Sequence, residues 1–212
     1  MKAKALYFLK DDVVSMGRMV NTSVEEMASI LKGNPSGSMS LIEEREKKIN
    51  DYCKKIEETC LELLLEKETV TQKDIRLLVS TIIIAAKLER MGDHANRIAK
   101  VADWARKEKV EVPTEMAEMA SVIHQMAEDI LIGFLEDAPD KALEVLKRDT
   151  AVDLLHDVLS QRLLADLGDQ DKAQAQIEAQ FLFCTRFLER MGDACTSIAK
   201  RVYFIATGER VQ

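Results

Sequence analysis

Pairs of acidic residues spaced four apart are the feature of this sequence that could do chemistry. Glu89 and Asp93 form one pair, and Glu189 and Asp193 repeat it 100 residues later. Residues four apart lie one turn apart on the same side of an α-helix, where like charges repel each other. Carboxylate oxygens are the ligands that hard and borderline cations bind in proteins. The pairs therefore predict sites for metal ions.

Each acidic pair should face another polar pair on the preceding helix. Glu46 and Asn50 precede the first acidic pair, and Asp149 and Asp153 precede the second. In an antiparallel hairpin, residues equidistant from the turn lie opposite each other, and the midpoints here fall in predicted turns. Because Asn50 replaces an acid, we expect the first site to be the weaker one. The predicted metal ligands are Glu46, Glu89, Asp93, Asp149, Asp153, Glu189 and Asp193.

The nature of the ligands limits the choice of metal. Oxygen ligands predict a divalent or trivalent ion (Fe, Zn, Mn or Mg), and the scarcity of nearby Cys or His favours the oxygen-preferring ions. His156 follows Asp153 by three residues, as in half of a di-iron motif, but Cys53 stands at the corresponding position of the first half, so a structural role is expected. The alternative interpretation is a solvated acidic face. Its charge would be compensated by Arg97, Lys100 and Lys200.

The acidic pairs belong to a repeated segment. The hexapeptide L-E-R-M-G-D occurs at 88–93 and again at 188–193, and 9 of the 13 positions from 88 to 100 are identical in the second copy. We interpret this as a tandem duplication. Glycine inside a helix costs ~1 kcal/mol relative to alanine, so Gly92 and Gly192 predict close approach of another helix backbone. His94 and His124 are expected at the surface.

The elements that would position these residues are helices. The chain has 212 residues, 47% of them hydrophobic and only 5% aromatic, with 8 Gly and 3 Pro, which is typical of a helical protein. Ser40 with Glu43 and Thr71 with Asp74 predict capping boxes at two helix starts. Three- and four-residue apolar spacing predicts six long helices. They lie near 6–32, near 41–66, from a start at Thr71–Asp74 to about 107, from a cap at Thr114 to about 135, near 141–167 and near 172–207. No segment alternates with period two, so the predicted fold is all-α, with tandem three-helix bundles over 1–110 and 111–212.

Charge and composition exclude several classes of protein. The net charge is −7, which disfavours nucleic acid as a partner. The four cysteines form no C-x-x-C pair, so a reducing cytoplasm is the simpler compartment. No unbroken apolar run is longer than 82–86, which is far shorter than a membrane span. We therefore expect a soluble, cytoplasmic protein.

In the two copies of the repeated segment the chain resembles the PhoU family of phosphate-transport regulators. The signature L-E-R-[IM]-G-D-x-A-x-x-I-A is matched at 88–99 and again at 188–199, where Cys195 replaces the Ala. The resemblance implies a duplicated three-helix bundle that binds metal through its E/D-x-x-x-D pairs. It also implies a negative regulator of phosphate uptake and signalling, which couples a phosphate ABC transporter ATPase to a sensor histidine kinase. Members are commonly homodimers, peripheral to membrane complexes at the cytoplasmic face.

Three functions follow as hypotheses. The first is a non-enzymatic, metal-binding adaptor, since no nucleophile with an adjacent base and no phosphate-binding loop is apparent. The second is a PhoU-like accessory or tail domain of a sodium- or proton-coupled phosphate transporter, which the genomic neighbourhood would distinguish from the first. The third is a carboxylate-bridged metalloenzyme, which requires redox turnover with iron loaded.

Overall fold

The described part of the protein is a bundle of six α-helices. The computed structural model describes residues 2–34, 39–65, 71–166 and 172–211, and no strand occurs among them, so the all-α prediction is confirmed. The helices are α1 (Lys2–Leu31), α2 (Met39–Leu65), α3 (Gln72–Lys107), α4 (Thr114–Leu135), α5 (Pro139–Asp166) and α6 (Lys172–Thr207). None of the described helices has the length and apolar content needed to cross a bilayer.

The predicted helix starts are right in one case and wrong in another. Thr71 and Asp74 form a capping box: the Asp74 amide donates to Thr71 Oγ1 (3.2 Å), and the Thr71 amide donates to Asp74 Oδ2 (2.9 Å). The start predicted at Ser40 lies too far along the chain, because α2 already includes Met39. At the end of α1, Gly33 has a φ of 76°, which glycine adopts without strain. The sequence also predicts helix-breaking clusters at 33–37 and 168–169, of which only Gly33 and Asn34 lie within the described residues.

Four helices form the middle of the molecule and two lie outside them. In the first half α1 packs against α2 and α3, and in the second half α4 packs against α5 and α6. The halves meet through α1 against α4 and through α3 against α6. One continuous hydrophobic core runs through both halves, so the boundary near residue 110 stays a prediction. Both copies of the hexapeptide lie on helices that face each other across the middle of the bundle.

Burial along α3 follows the helical period of its sequence. On a helical wheel Leu88, Met91, Ala95 and Ile98 share one side, and each is at most 3% exposed. Burial of such a stripe contributes most of the stability of an amphipathic helix, because propensity alone leaves helices marginal. The acidic residues next to the stripe are held at the edge of the core as a consequence.

The two halves have ion pairs at equivalent positions. Arg45 on α2 makes two hydrogen bonds to Glu26 on α1, at 2.8 and 3.0 Å. Arg148 on α5 pairs with Asp129 on α4, and both residues stand 103 positions after their counterparts. The duplication inferred from the hexapeptide therefore extends to the contacts that fix the outer helices on the inner ones.

Candidate functional site

The second acidic group consists of Asp149 and Asp153 on α5 with Glu189 and Asp193 on α6. Asp149 is half-buried at the interface of these helices. Burial, followed by the charges of the other three acids, raises the pKa of Asp149 from 3.8 to about 6. Its Oδ1 atom is buried and has no hydrogen-bond partner among the described residues. The structure thus brings together the four acids that the sequence set opposite each other.

Gly192 admits the Asp149 carboxylate into this interface. A Cβ added at Gly192 would lie 2.8 Å from Asp149 Oδ1 and 3.2 Å from Val152 Cγ1. The prediction that a helix backbone approaches this glycine is wrong, because the neighbouring atoms belong to side chains. At Gly92 the neighbour is likewise a side chain, with Ile49 Cδ1 at 3.0 Å. The same glycine therefore makes room for a carboxylate in one half and for an aliphatic group in the other.

The second acidic group has little positive charge from the protein. Lys200 is the cation whose charge lowers the pKa of Asp149, and its own side chain is exposed. Asp153 and Asp193 are exposed, so their carboxylates can change rotamer to meet a ligand. An unpartnered buried carboxylate oxygen beside three further acids fits a hard or borderline cation.

The first acidic group, formed by Glu46, Glu89 and Asp93 with Asn50, is compensated by the protein itself. The Asn50 side-chain amide donates to Glu46 Oε1 (3.2 Å), and the Asn96 amide donates to Glu46 Oε2 (3.3 Å). Burial, followed by the charge of Asp93 and less strongly that of Glu46, raises the pKa of Glu89. Both oxygens of Glu46 thus have donors, unlike Oδ1 of Asp149.

Basic side chains of α3 form further ion pairs with acids of the first half. Arg97 forms an ion pair with Asp93 at 3.1 Å, as the alternative interpretation expected. Lys100 pairs instead with Glu43, at 3.0 Å. The position equivalent to Glu43 in the second half, 103 residues on, is Leu146, so Lys200 lacks that partner. The two halves therefore differ in electrostatic balance although their hexapeptides are identical.

Asn96 is a polar residue of this site that the sequence interpretation missed. It is 6% exposed, its amide holds Glu46, and its Oδ1 has no partner among the described residues. Asn50 Oδ1 is in the same situation. The sequence does contain a pattern that predicts this position, because Asn96 follows Asp93 by three residues and so lies on the same side of α3.

The histidines lie outside both acidic groups. His156 contacts Asp157 at 3.3 Å and is not among the groups that shift the Asp149 pKa. His94 and His124, which were expected at the surface, are half-buried. His94 stacks on Phe187 with ring centroids 4.8 Å apart, and His124 hydrogen-bonds to Asn21 at 2.7 Å, so each helps to join the two halves.

The described side chains do not form a preformed metal-binding site. Across 2–34, 39–65, 71–166 and 172–211, no three His, Cys, Asp or Glu side chains are placed so that together they hold one metal ion. The two acidic groups are therefore clusters of neighbouring charges in this arrangement, and metal binding by them stays a prediction. A bound ion would require rotation of the exposed members towards Asp149.

Comparison with known proteins identifies the family. The sequence matches the PhoU domain at residues 13–102 and again at 116–202. It is 30% identical to the phosphate-specific transport system accessory protein PhoU homolog of Clostridium acetobutylicum, over 96% of this chain and 93% of that one. The crystal structure of PhoU from Pseudomonas aeruginosa is similar with a TM-score of 0.90 and 25% identity, over 99% of this chain and 100% of that one. The phosphate transport system regulatory protein PhoU from Streptococcus pneumoniae is similar with a TM-score of 0.86 and 26% identity, over 100% of both chains. The chain therefore belongs to the PhoU family.

Proposed function

We propose that this protein is a non-enzymatic regulator of phosphate uptake and of phosphate-starvation signalling. It would act as an adaptor between the ATPase of a phosphate ABC transporter and a sensor histidine kinase. The names of its relatives support this role, since they are accessory and regulatory proteins of phosphate transport systems. A cytoplasmic location, peripheral to the membrane complexes, and a homodimeric state are part of the same proposal.

The second acidic group would hold the metal of this regulator. The observation that carries this assignment is Asp149 Oδ1, a buried carboxylate oxygen without a partner among the described residues. Asp153, Glu189 and Asp193 would supply the remaining protein ligands, and Fe, Zn, Mn or Mg would be acceptable to such an oxygen set. The ion would supply positive charge that offsets the repulsion between α5 and α6. The ion would also lower the pKa of Asp149, which burial and the neighbouring acids raise to about 6.

An adaptor needs a surface for a protein partner, and α5 has one beside the second acidic group. Leu154 is 65% exposed and Val158 is 53% exposed, and their four-residue spacing puts both on one side of the helix. Exposed apolar groups next to charged ones are typical of protein interaction surfaces. We infer that metal binding fixes α5 on α6 and so presents this surface in one orientation.

The cysteines support a role without covalent catalysis. Burial raises the pKa of Cys60 and of Cys184 to about 12, and burial raises that of Cys195 as well. Because the thiolate is the nucleophilic form, these buried thiols are unreactive at neutral pH. Cys53 is half-buried, and its pKa is also raised, first by burial and then by Glu89.

Metal analysis tests the site. Protein purified without chelator should contain metal, and a variant with Asp149→Ala and Asp153→Ala should lose the share bound by the second half. Asp51→Ala, an exposed acid on α2, is the matched control and should keep it all. An unchanged metal content in the double variant would refute the assignment.

Deletion of the gene tests the regulatory role. Cells that lack the protein should express phosphate-starvation genes even in high phosphate, and the wild-type gene should restore repression. Affinity purification from the complemented strain should recover the transporter ATPase and the kinase. Normal repression in the deletion strain would contradict the proposed function.

A further inference from the structure

A cleft of about 490 Å³ opens between α3 and α6, where the two hexapeptides face each other. We name it the inter-repeat cleft and define it by its charged residues, which are Lys87, Arg90, Arg97, Arg190, Asp93 and Asp193. Its volume lies in the ~300–1,000 Å³ range of small-molecule sites. Arg90 and Arg190 occupy the same position of the hexapeptide, so the duplication itself brings them to one cleft.

The inter-repeat cleft is positive although the chain carries a net charge of −7. Four cations line it against two carboxylates. Asp93 is engaged by Arg97, and Asp193 belongs to the second acidic group. Among the described residues, no salt bridge involves Lys87, Arg90 or Arg190. Like charges gathered in one cleft repel, which an anion would relieve.

Aromatic contacts fix the walls of the inter-repeat cleft. The ring of His94 on α3 stacks on that of Phe187 on α6, with 12° between the planes. The Arg97 guanidinium lies over the same Phe187 ring, 5.9 Å from its centroid. Nδ1 of His94 is buried and has no hydrogen-bond partner among the described residues. The cleft thus offers three guanidinium groups to a ligand, whereas Nδ1 of His94 is too deeply buried to reach one.

We propose that the inter-repeat cleft binds an anion that carries a phosphate group. Guanidinium groups match phosphate oxygens with paired hydrogen bonds, which is why arginine predominates in phosphate recognition. Free orthophosphate and the phosphate of a nucleotide share this chemistry, and the cleft is large enough for either. This inference stands on the positive charges of the cleft and does not require metal, although Asp93 and Asp193 belong both to the cleft and to the acidic groups.

Calorimetric titration with orthophosphate, AMP and ATP tests the proposal. Wild-type protein should bind at least one of them, and affinity should fall as potassium chloride is raised, because the arginines are exposed and screened by salt. Orthophosphate alone would identify the free ion as the ligand, whereas tighter binding of AMP or ATP would identify a nucleotide. Absence of binding by all three at millimolar concentration would overturn the proposal.

A charge variant locates the binding. Loss of one charge-assisted hydrogen bond weakens binding by about tenfold or more, so Arg190→Gln should show at least that loss. Arg18→Gln removes an exposed arginine of α1, outside the cleft, and should bind as the wild type does. Equal affinities for all three proteins would overturn the assignment to this cleft. Circular dichroism melting curves establish that the variants are folded.

Two further measurements keep the proposal testable if Arg190→Gln fails to fold. In wild-type protein, ligand should shift the NMR signals of the Arg90 and Arg190 side-chain Nε–H groups, and unshifted signals at saturation would overturn the proposal. Titration in the presence of EDTA separates the cleft from metal in the acidic groups. Binding should persist with EDTA, and its loss would show that the anion had bound to metal instead.

Discussion

Gly192 on α6 and Asp149 on α5 fit together so closely that no side chain could replace the glycine without displacing the carboxylate. The Cβ position at 192 is 2.8 Å from Asp149 Oδ1. In the first half the corresponding glycine, Gly92, faces Ile49. Two copies of one hexapeptide thus serve different purposes, because the helices opposite them have diverged.

Gly192→Ala should therefore change the second acidic group more than it changes stability. The added methyl group would turn the Asp149 carboxylate away from its position, so metal content should fall. The unfolding free energy should change by less than about 1 kcal/mol, because the helix propensity of alanine, ~1 kcal/mol better than that of glycine, offsets the crowding at Val152. Elemental analysis and urea unfolding of the same samples measure both effects.

Gly92→Ala is the matched control for this experiment. It crowds Ile49 in the first half by a similar amount, yet it leaves Asp149 untouched. Metal bound by the second half should be retained. A metal loss as large as that of Gly192→Ala would mean that the glycine acts through helix packing in general and not through Asp149.

The Asp149 pKa of about 6 predicts a specific pH dependence for metal-free protein. Below pH 3.8 the group is protonated in both the folded and the unfolded chain, and it has no effect on stability. Between pH 3.8 and 6 the unfolded chain loses this proton while the folded chain keeps it, so the unfolding free energy falls as pH rises. Asp149→Asn removes that fall.

The variant should therefore be more stable than the wild type above pH 6, and the difference should vanish near pH 4. We expect a difference on the order of 1 kcal/mol, because solvent screening at a half-buried site reduces the full linkage effect. Urea titrations in EDTA at several pH values measure it. Asp51→Asn, an exposed acid, should show no such trend. A difference between Asp149→Asn and the wild type that stays constant from pH 4 to above pH 6 would contradict the prediction.

Sequence alone predicted the features of this protein that depend on the helical period of apolar residues and on the number of residues between two positions. Apolar spacing located six helices, and the capping box at Thr71 was read correctly because its two bonds are local. Equidistance from a turn set Asp149 opposite Asp193, and Asp153 opposite Glu189, without knowledge of the fold. These inferences need only helix geometry and a short connection between antiparallel helices.

Contacts between the two halves could not be predicted in the same way. His94 appears solvent-facing on its own helix, and only the packing of α3 on α6 places it against Phe187. The pairing of Asn21 with His124 likewise depends on how α1 meets α4. A helical wheel predicts that Gly192 faces the core. It does not predict which atoms contact Gly192, because these depend on how closely α5 packs against α6.

Arg45→Gln should destabilise the first half by about 2 kcal/mol. Arg45 donates to both oxygens of Glu26 and to Ser23 Oγ at 3.2 Å, and the Arg45 and Glu26 side chains are only 17% and 22% exposed. Removal of the charge would leave a largely buried carboxylate with weaker partners, which costs ~1–3 kcal/mol. Urea unfolding measures the change.

Lys48→Gln is the control for this pair. Lys48 forms an ion pair with Glu44 on the same helix, but the side chains are 59% and 60% exposed, and such pairs contribute ~0–1 kcal/mol. Its loss should be smaller than that of Arg45→Gln. Equal effects would show that burial of the Arg45 pair does not matter.

Thr71→Ala should destabilise the protein by about 1 kcal/mol, because it removes the cap from the helix that carries Glu89 and Asp93. The Thr71 hydroxyl accepts from the Asp74 amide, and loss of such a cap typically costs ~0.5–2 kcal/mol. Thr114→Ala is the matched control. α4 begins at Thr114, and its N-cap residue Pro113 makes no side-chain capping bond. The unfolding free energy of Thr114→Ala should therefore lie within about 0.5 kcal/mol of the wild-type value. Hydrogen exchange of the first-turn amides of α3 should increase in Thr71→Ala while exchange in α4 stays unchanged. Equal destabilisation by the two changes would contradict the assignment of Thr71 as the cap.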